Sequence, residues 1–168
     1  MTSVFLQGGL GNQLFQIATA YAHSKTVGDH LPLQGSNVDT YKDIFYKDLD
    51  FVDSIETSGV YHEPVFGYSS IPLSTNLYLV GYFQSEKYFA KHAAEIKRLF
   101  DVDRYKGKLK DTISLHVRRG DYLNVQDNHP CLSMEYYSSA LQEFPEEFKV
   151  FVFSDDIKWC KDKFTGGR

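Results

Sequence analysis

Apolar and polar positions along the chain fall into units in which a short strand-type run is followed by helical spacing. Ser3-Val4-Phe5-Leu6 is such a run, closed by Gly8-Gly9; Leu14, Phe15, Ile17, Ala18, Tyr21 and Ala22 then recur at i, i+3, i+4 and i+7. The pattern predicts strand, glycine-rich loop, helix. The stretch from His30 to Ile71 is broken by Pro32, Gly35, Pro64 and Gly67, and predicts only a short strand at His30 to Leu33 and a short helix near Lys42. Asn76 to Phe83 reads as a buried strand. Ser85-Glu86 opens an amphipathic run through Tyr88, Phe89, Ala93, Ile96 and Phe100. A third strand is predicted at Thr112 to Val117. Its helix starts near Ser133 and stops before Pro145, because the residue preceding proline disfavours helical geometry. Lys149 to Phe153 is a fourth strand, leading through Ser154-Asp155-Asp156 into a helix with Ile157, Trp159 and Cys160.

Strand–helix alternation of this kind predicts an α/β fold with a mostly parallel sheet and crossover helices, whose ligands sit at the carboxyl ends of the strands. The charged segment Asp101 to Asp111, with Gly107, separates two halves, 1–105 and 106–168. At 168 residues the chain has the length of one domain or one and a fraction.

Charge and composition narrow the function. A net charge of −4 argues against diffuse attraction to nucleic acid, so any anion must be held locally. Cys131 and Cys160 are too few for a disulfide framework and lack zinc-site spacing. Apolar runs fall well short of a membrane span and no secretory leader pattern opens the chain, so a cytoplasmic protein is expected.

The chemistry is expected in three loops that follow strands. Gly8-Gly9-Leu10-Gly11-Asn12-Gln13 lets backbone approach a ligand at a helix start, which suits phosphate or sugar. It is not a dinucleotide fingerprint, since Leu14 stands where a third glycine belongs. A plain chain reversal explains the glycines equally well, and Asn12 and Gln13 serve as caps in that reading.

His116-Val117-Arg118-Arg119-Gly120-Asp121-Tyr122 is more specific. Alternation puts His116 and Arg118 on one strand face and Val117 and Arg119 on the other. A guanidinium matches phosphate oxygens with a planar fork of donors, which makes Arg118 a candidate pyrophosphate clamp. Its alternative is a strand end paired with Asp121. Arg119-Gly120-Asp121 also spells an adhesion tripeptide, which needs an exposed loop tip on a secreted protein. In the third loop, Phe153-Ser154-Asp155-Asp156, a carboxylate can accept paired N–H donors from a purine edge such as guanine, or cap the next helix. Asp101-Val102-Asp103 has metal-clamp spacing but follows a helical run and reads as a solvated boundary. A hydrolase elbow, a zinc-protease motif and a Walker A loop are all absent from the sequence.

In that order, GGLGNQ, HVRRGDY and FSDD resemble glycosyltransferase family 11, a family of inverting α-1,2-fucosyltransferases. His23, the segment Tyr82 to Phe89 and Tyr136-Tyr137 are in keeping with it. The resemblance implies two Rossmann-like halves of the GT-B type, acceptor side first and GDP-fucose side second. Family members continue past the aspartate motif, so the second half is expected to be incomplete and a non-catalytic remnant binding nucleotide or glycan is the alternative.

Carried over residue by residue, the resemblance implies Arg118 on the pyrophosphate, and His116 with Asp155 or Asp156 on guanosine, Ser154 beside them. Gly9, Gly11 and Asn12 would line the fucose and acceptor side, with Arg119 and Asp121 as supporting partners. Fucose would pass from GDP-fucose to a glycan hydroxyl, commonly the 2-hydroxyl of a β-galactoside, without a metal or other cofactor. Arg118 and Asp121 are the catalytic candidates. The base for the acceptor hydroxyl stays open among Asp121, Asp155, Asp156 and Glu86. His129 is a further loop histidine near these residues.

Overall fold

Leu77–Val80 alternates buried and half-buried side chains, as a strand paired on both edges should, and forms the middle of a three-stranded sheet. This strand, β5, runs parallel to β1 (Ser3–Val4) on one side and to β4 (Gly59–His62) on the other. A second parallel pair joins β2 (Pro32–Gln34) to β3 (Asp50–Val52). The structure, a computed structural model, describes residues 1–34, 41, 46, 49–101 and 109–166. The chain divides into two units, Met1–Lys106 and Gly107–Arg168.

In the first unit the glycine-rich loop leads into α1 (Leu10–Val27), longer than its apolar spacing predicts and closed by Gly28 in the left-handed region at φ 76°. A residue with a side chain is rarely at ease there, which makes glycine the natural C-cap. Ile17, Ala18 and Ala20 pack with Val4, Leu77 and Leu79 in the main core. The short strands β3 and β4 were not legible in the His30 to Ile71 stretch, and the helix expected near Lys42 falls outside the described residues. The strand expected at His30 to Leu33 forms one to two residues later, as β2.

The helix expected from Ser85 to Phe100 is broken. Two 3₁₀ turns, Glu86–Tyr88 and Ala90–His92, precede α2 (Ala93–Leu99). Neighbouring aromatic rings are drawn to different partners: Tyr88 meets Phe83 edge-on at 5.3 Å, while Phe89 reaches Phe15 at 5.8 Å. Phe89 consequently leaves helical geometry, at φ −134° and ψ 8°. Local propensity yields here to tertiary packing.

The second unit follows the sequence closely. β6 (Thr112–Val117) and β7 (Lys149–Ser154) run parallel in register from Thr112 opposite Lys149 to Val117 opposite Ser154. Two helices, α3 (Met134–Gln142) and α4 (Ile157–Lys163), supply Tyr137 and Cys160 to a small core with Leu115 and Val117. Ser133 caps α3 by accepting from the Tyr136 N–H at 3.4 Å. The opposite face of the strand pair carries Ser114, His116, Phe151 and Phe153, all exposed. Every strand pair among the described residues is parallel, as the alternation predicts, but the strands form three separate sheets.

Candidate functional site

Each unit has a loop at the carboxyl end of its leading strand, and each loop is organised by side chains bonding to backbone. In the first unit, Gly8 takes φ +75°, and a Cβ there would run into the Asn12 side-chain amide. Gln13, 2% exposed, turns back so that its Nε2 donates to Gly8 O at 3.0 Å, and its Oε1 accepts from the Tyr46 hydroxyl. Gln16, fully buried, accepts from the Gln7 N–H at 3.0 Å and donates to Gly81 O at 3.1 Å. Asn12 Oδ1 accepts from Gln84 Nε2 at 2.6 Å. Gly9 is the N-cap of α1 and receives no side-chain cap, so neither Asn12 nor Gln13 acts as a plain cap. The space beside Gly9 and Gly11 is open for at least 4 Å.

The second unit gathers its charged residues at the ends of β6 and β7. Alternation holds: Val117 is fully buried, His116 is exposed, and the two arginines part company on opposite faces. Arg118, with 45% of its side chain exposed, brings Nη2 to 2.9 Å from Asp121 and Nε to 3.2 Å from Asp155 Oδ2. Its guanidinium carbon lies 5.3 Å from the Tyr122 ring centre. Tyr122 is itself stacked on His129, 4.8 Å away and 20° from parallel. The hydrogen bond to Asp121 is the main reason that Arg118 holds its proton even more firmly than usual.

Arg119 turns toward the helices. Its Nε reaches Asp156 Oδ2 at 3.3 Å, and its guanidinium carbon sits 4.0 Å from the Trp159 ring centre. Asp156 also caps α4, accepting from the Trp159 N–H at 3.1 Å, and its own N–H donates to Ser154 Oγ at 2.9 Å. Asp155 Oδ1 accepts from the Arg119 N–H at 2.9 Å. That bond, more than any other cause, holds the Asp155 carboxyl below the usual carboxylate range; burial opposes it, and the Gly120 N–H and the Arg118 charge reinforce it. A Cβ on Gly120 would stand 2.8 Å from Asp155 Oδ2, so the close approach of loop and carboxylate requires glycine here.

The second unit therefore brings together His116, Arg118, Arg119, Asp121, Ser154, Asp155 and Asp156, while Gly9, Gly11 and Asn12 belong to the first. Asp101 has φ 46° and Val102-Asp103 lie outside the described residues. Sequence reasoning overlooked Trp159 as a partner of Arg119, although its position three residues after the capping Asp156 was a usable signal. Gln16 and Glu63 were overlooked too. Glu63 receives the Tyr82 and Phe83 N–H groups, each at 2.9 Å, a relation across about twenty residues that no local pattern carries.

Residues 36–167 match the family described as Glycosyl transferase family 11. The chain belongs to that family. Among its relatives is an alpha-1,2-colitosyltransferase of Escherichia coli, 28% identical over 93% of this chain and 69% of that protein. The O-antigen biosynthesis glycosyltransferase WbnK of Escherichia coli is also 28% identical, over 95% of this chain and 74% of that protein. The family match spans β6, β7 and both of their loops, the parts of this glycosyltransferase that carry the HVRRGDY and FSDD residues. Among the described residues no helix is long and apolar enough to cross a membrane.

Proposed function

We propose that the chain is an inverting glycosyltransferase that moves L-fucose from GDP-fucose to a hydroxyl of a glycan acceptor, the 2-hydroxyl of a β-galactoside. The single observation that carries this reading is Arg118: a half-exposed guanidinium at the end of a parallel strand in a chain of this family. Two carboxylates orient it, and it remains accessible to an oxyanion. The α-1,2 linkage in one relative's name is in keeping with the same regiochemistry. The architecture under this reading is two Rossmann-like halves of the GT-B type, acceptor side in the first unit and donor side in the second, in a cytoplasmic protein.

The acceptor oxygen attacks the anomeric carbon of fucose as the bond to the GDP oxygen breaks, and the acceptor proton passes to a base. Arg118 stabilises the charge that grows on the departing diphosphate; preorganised donors of this kind are worth about 3–4 kcal/mol each. No metal is needed for that step in this proposal. His116 and Asp155 are assigned the guanosine side, both being exposed. Asp121, Ser154, Asp156 and Arg119 support the arginine loop, while Gly9, Gly11 and Asn12 are assigned the sugar side.

The test is transfer of fucose from GDP-fucose to a β-galactoside. Arg118→Ala is expected to lower kcat by about 10²–10³-fold. Unchanged turnover in that variant removes Arg118 from the mechanism. The bare face of the β6–β7 pair favours a second reading, a binding protein without turnover. Calorimetry separates the two: such a protein binds GDP or glycan and transfers nothing.

A further inference from the structure

The loops that follow β1 and β5 leave the same edge of the first sheet, because the two strands are parallel neighbours. A side-chain bond joins them: Gln84 Nε2 donates to Asn12 Oδ1 at 2.6 Å, between residues 72 apart in the chain. The turn that carries Gln84 is fixed on both sides of it. Gly81 O accepts from Gln16, Glu63 holds the Tyr82 and Phe83 N–H groups, and Phe83 is fully buried at φ 51°. The Ser85 N–H then donates to Phe83 O at 2.7 Å, and the Ser85 hydroxyl accepts from the Lys87 N–H at 3.4 Å. Gln84 itself is exposed. A side-chain-bearing residue at positive φ is costly, and such strain persists only where the surroundings over-determine it, commonly beside a functional group.

The bond between the two amides matters more for direction than for stability. Asn12 is half-buried and Gln84 exposed, so each amide would bond water nearly as well as it bonds the other, and the pair adds little to folding. A side-chain amide has an acceptor at one end and donors at the other, and a neighbour decides which end faces a ligand. Gln84 takes the acceptor end of Asn12. The donor end, Nδ2, lies against Gly8, where a Cβ would run into it, and has no hydrogen-bond partner among the described residues.

We propose that Gln84 is a positioning residue: by holding Asn12 Oδ1 it leaves Nδ2 as the end that meets the ligand, so that Asn12 donates to an oxygen of the acceptor sugar. The inference rests on the assignment of Asn12 to the sugar side. Gln84 acts through Asn12 and selects an acceptor that offers an oxygen lone pair at that place.

Three replacements at Gln84 separate this role from a structural one, in steady-state kinetics of the full chain with GDP-fucose and methyl β-galactoside. Gln84→Met keeps the length of the side chain but has no N–H donor. It is expected to raise KM for the galactoside by about three- to tenfold, with kcat and the KM for GDP-fucose changed by less than about twofold. Gln84→Glu accepts instead of donating, draws Nδ2 toward itself and reverses the Asn12 amide, and should raise the galactoside KM at least as far. Gln84→Lys still donates to Oδ1 and should stay within about twofold of the native value. All three should melt near the native temperature, the position being exposed. An unchanged galactoside KM in the Met and Glu variants, or a rise in the Lys variant as large as in the Glu variant, overturns the proposal. A native chain that transfers no fucose overturns the fucosyl-transfer reading by itself, and calorimetric affinity of the same four proteins for methyl β-galactoside then decides on Gln84. The same order of variants supports the proposal, and equal affinities or absent binding overturn it.

Discussion

Arg119 sits over the ring of Trp159, its guanidinium carbon 4.0 Å from the ring centre, while Asp156 accepts both from Arg119 Nε and from the Trp159 backbone N–H. One carboxylate thus fixes the two partners of a cation–π contact and ties the end of β6 to the start of α4. The Arg119 side chain is only 18% exposed, so the contact is partly desolvated and worth about 1–2 kcal/mol.

Trp159→Leu keeps an apolar side chain but removes the aromatic face. It is expected to destabilise the protein by about 1–2 kcal/mol, and Trp159→Phe by less, as measured by urea unfolding. Under the proposed donor role of Arg118, which Arg119 adjoins, GDP affinity should fall in the same order. Equal stability of the Leu and Phe variants would show that the ring's charge distribution is immaterial.

The Asp155 carboxylate accepts from the Arg119 N–H and pairs with Arg118, and its folded pKa is held below the ordinary value. A depressed folded pKa contributes stability above the unfolded pKa of about 3.9, and that contribution is lost as pH falls through the folded value. Asp155→Asn should therefore be less stable than the native protein at pH 7, with the gap closing below about pH 4. Chemical unfolding at both pH values checks this. A gap of constant size down to pH 3 would mean that ionisation of Asp155 is not what holds the loop.

How far the sequence reveals this arrangement depends on the distance over which each cause acts. Thr112–Val117 was legible because its apolar residues alternate with polar ones, and Lys149–Ser154 because Val150 to Phe153 is a short unbroken run of β-branched and aromatic residues. Ser133 as the cap of α3 was legible too, since capping depends on a few adjacent residues. The clustering of HVRRGDY with FSDD follows from two parallel strands ending at the same edge. What escaped were relations between distant segments. The break at Phe89 comes from Phe15, far earlier in the chain, and the role of Gln16 depends on Gly81. β3 and β4 are only three and four residues long, too short for any period to declare itself.

Gly11 offers a test that separates fold from function. It occupies the first turn of α1, and a Cβ there meets nothing within 4 Å. Alanine is the better helix former by about 0.5–1 kcal/mol, so Gly11→Ala should raise the melting temperature slightly. If a sugar must approach this backbone closely, fucose transfer falls in the same variant. Transfer at the native rate would assign the glycine no part in binding.

Glu63 makes the strongest prediction for the fold of the first unit. Its Oε2 receives the N–H groups of Tyr82 and Phe83, and its Oε1 receives the Tyr88 hydroxyl at 3.2 Å. Phe83 needs this hold because it is fully buried at φ 51°, a conformation that side-chain-bearing residues rarely adopt. Glu63→Ala strands two backbone donors, leaves the Tyr88 hydroxyl with the Gly67 carbonyl at 3.0 Å, and releases the strained turn, at an expected cost of about 2–3 kcal/mol. Glu63→Gln retains an acceptor for the backbone donors and should cost about half as much. Thermal unfolding of the two variants decides the matter. An alanine variant as stable as the native protein would show that the aromatic packing of Phe83 against Tyr61 and Tyr88 holds the turn without the carboxylate.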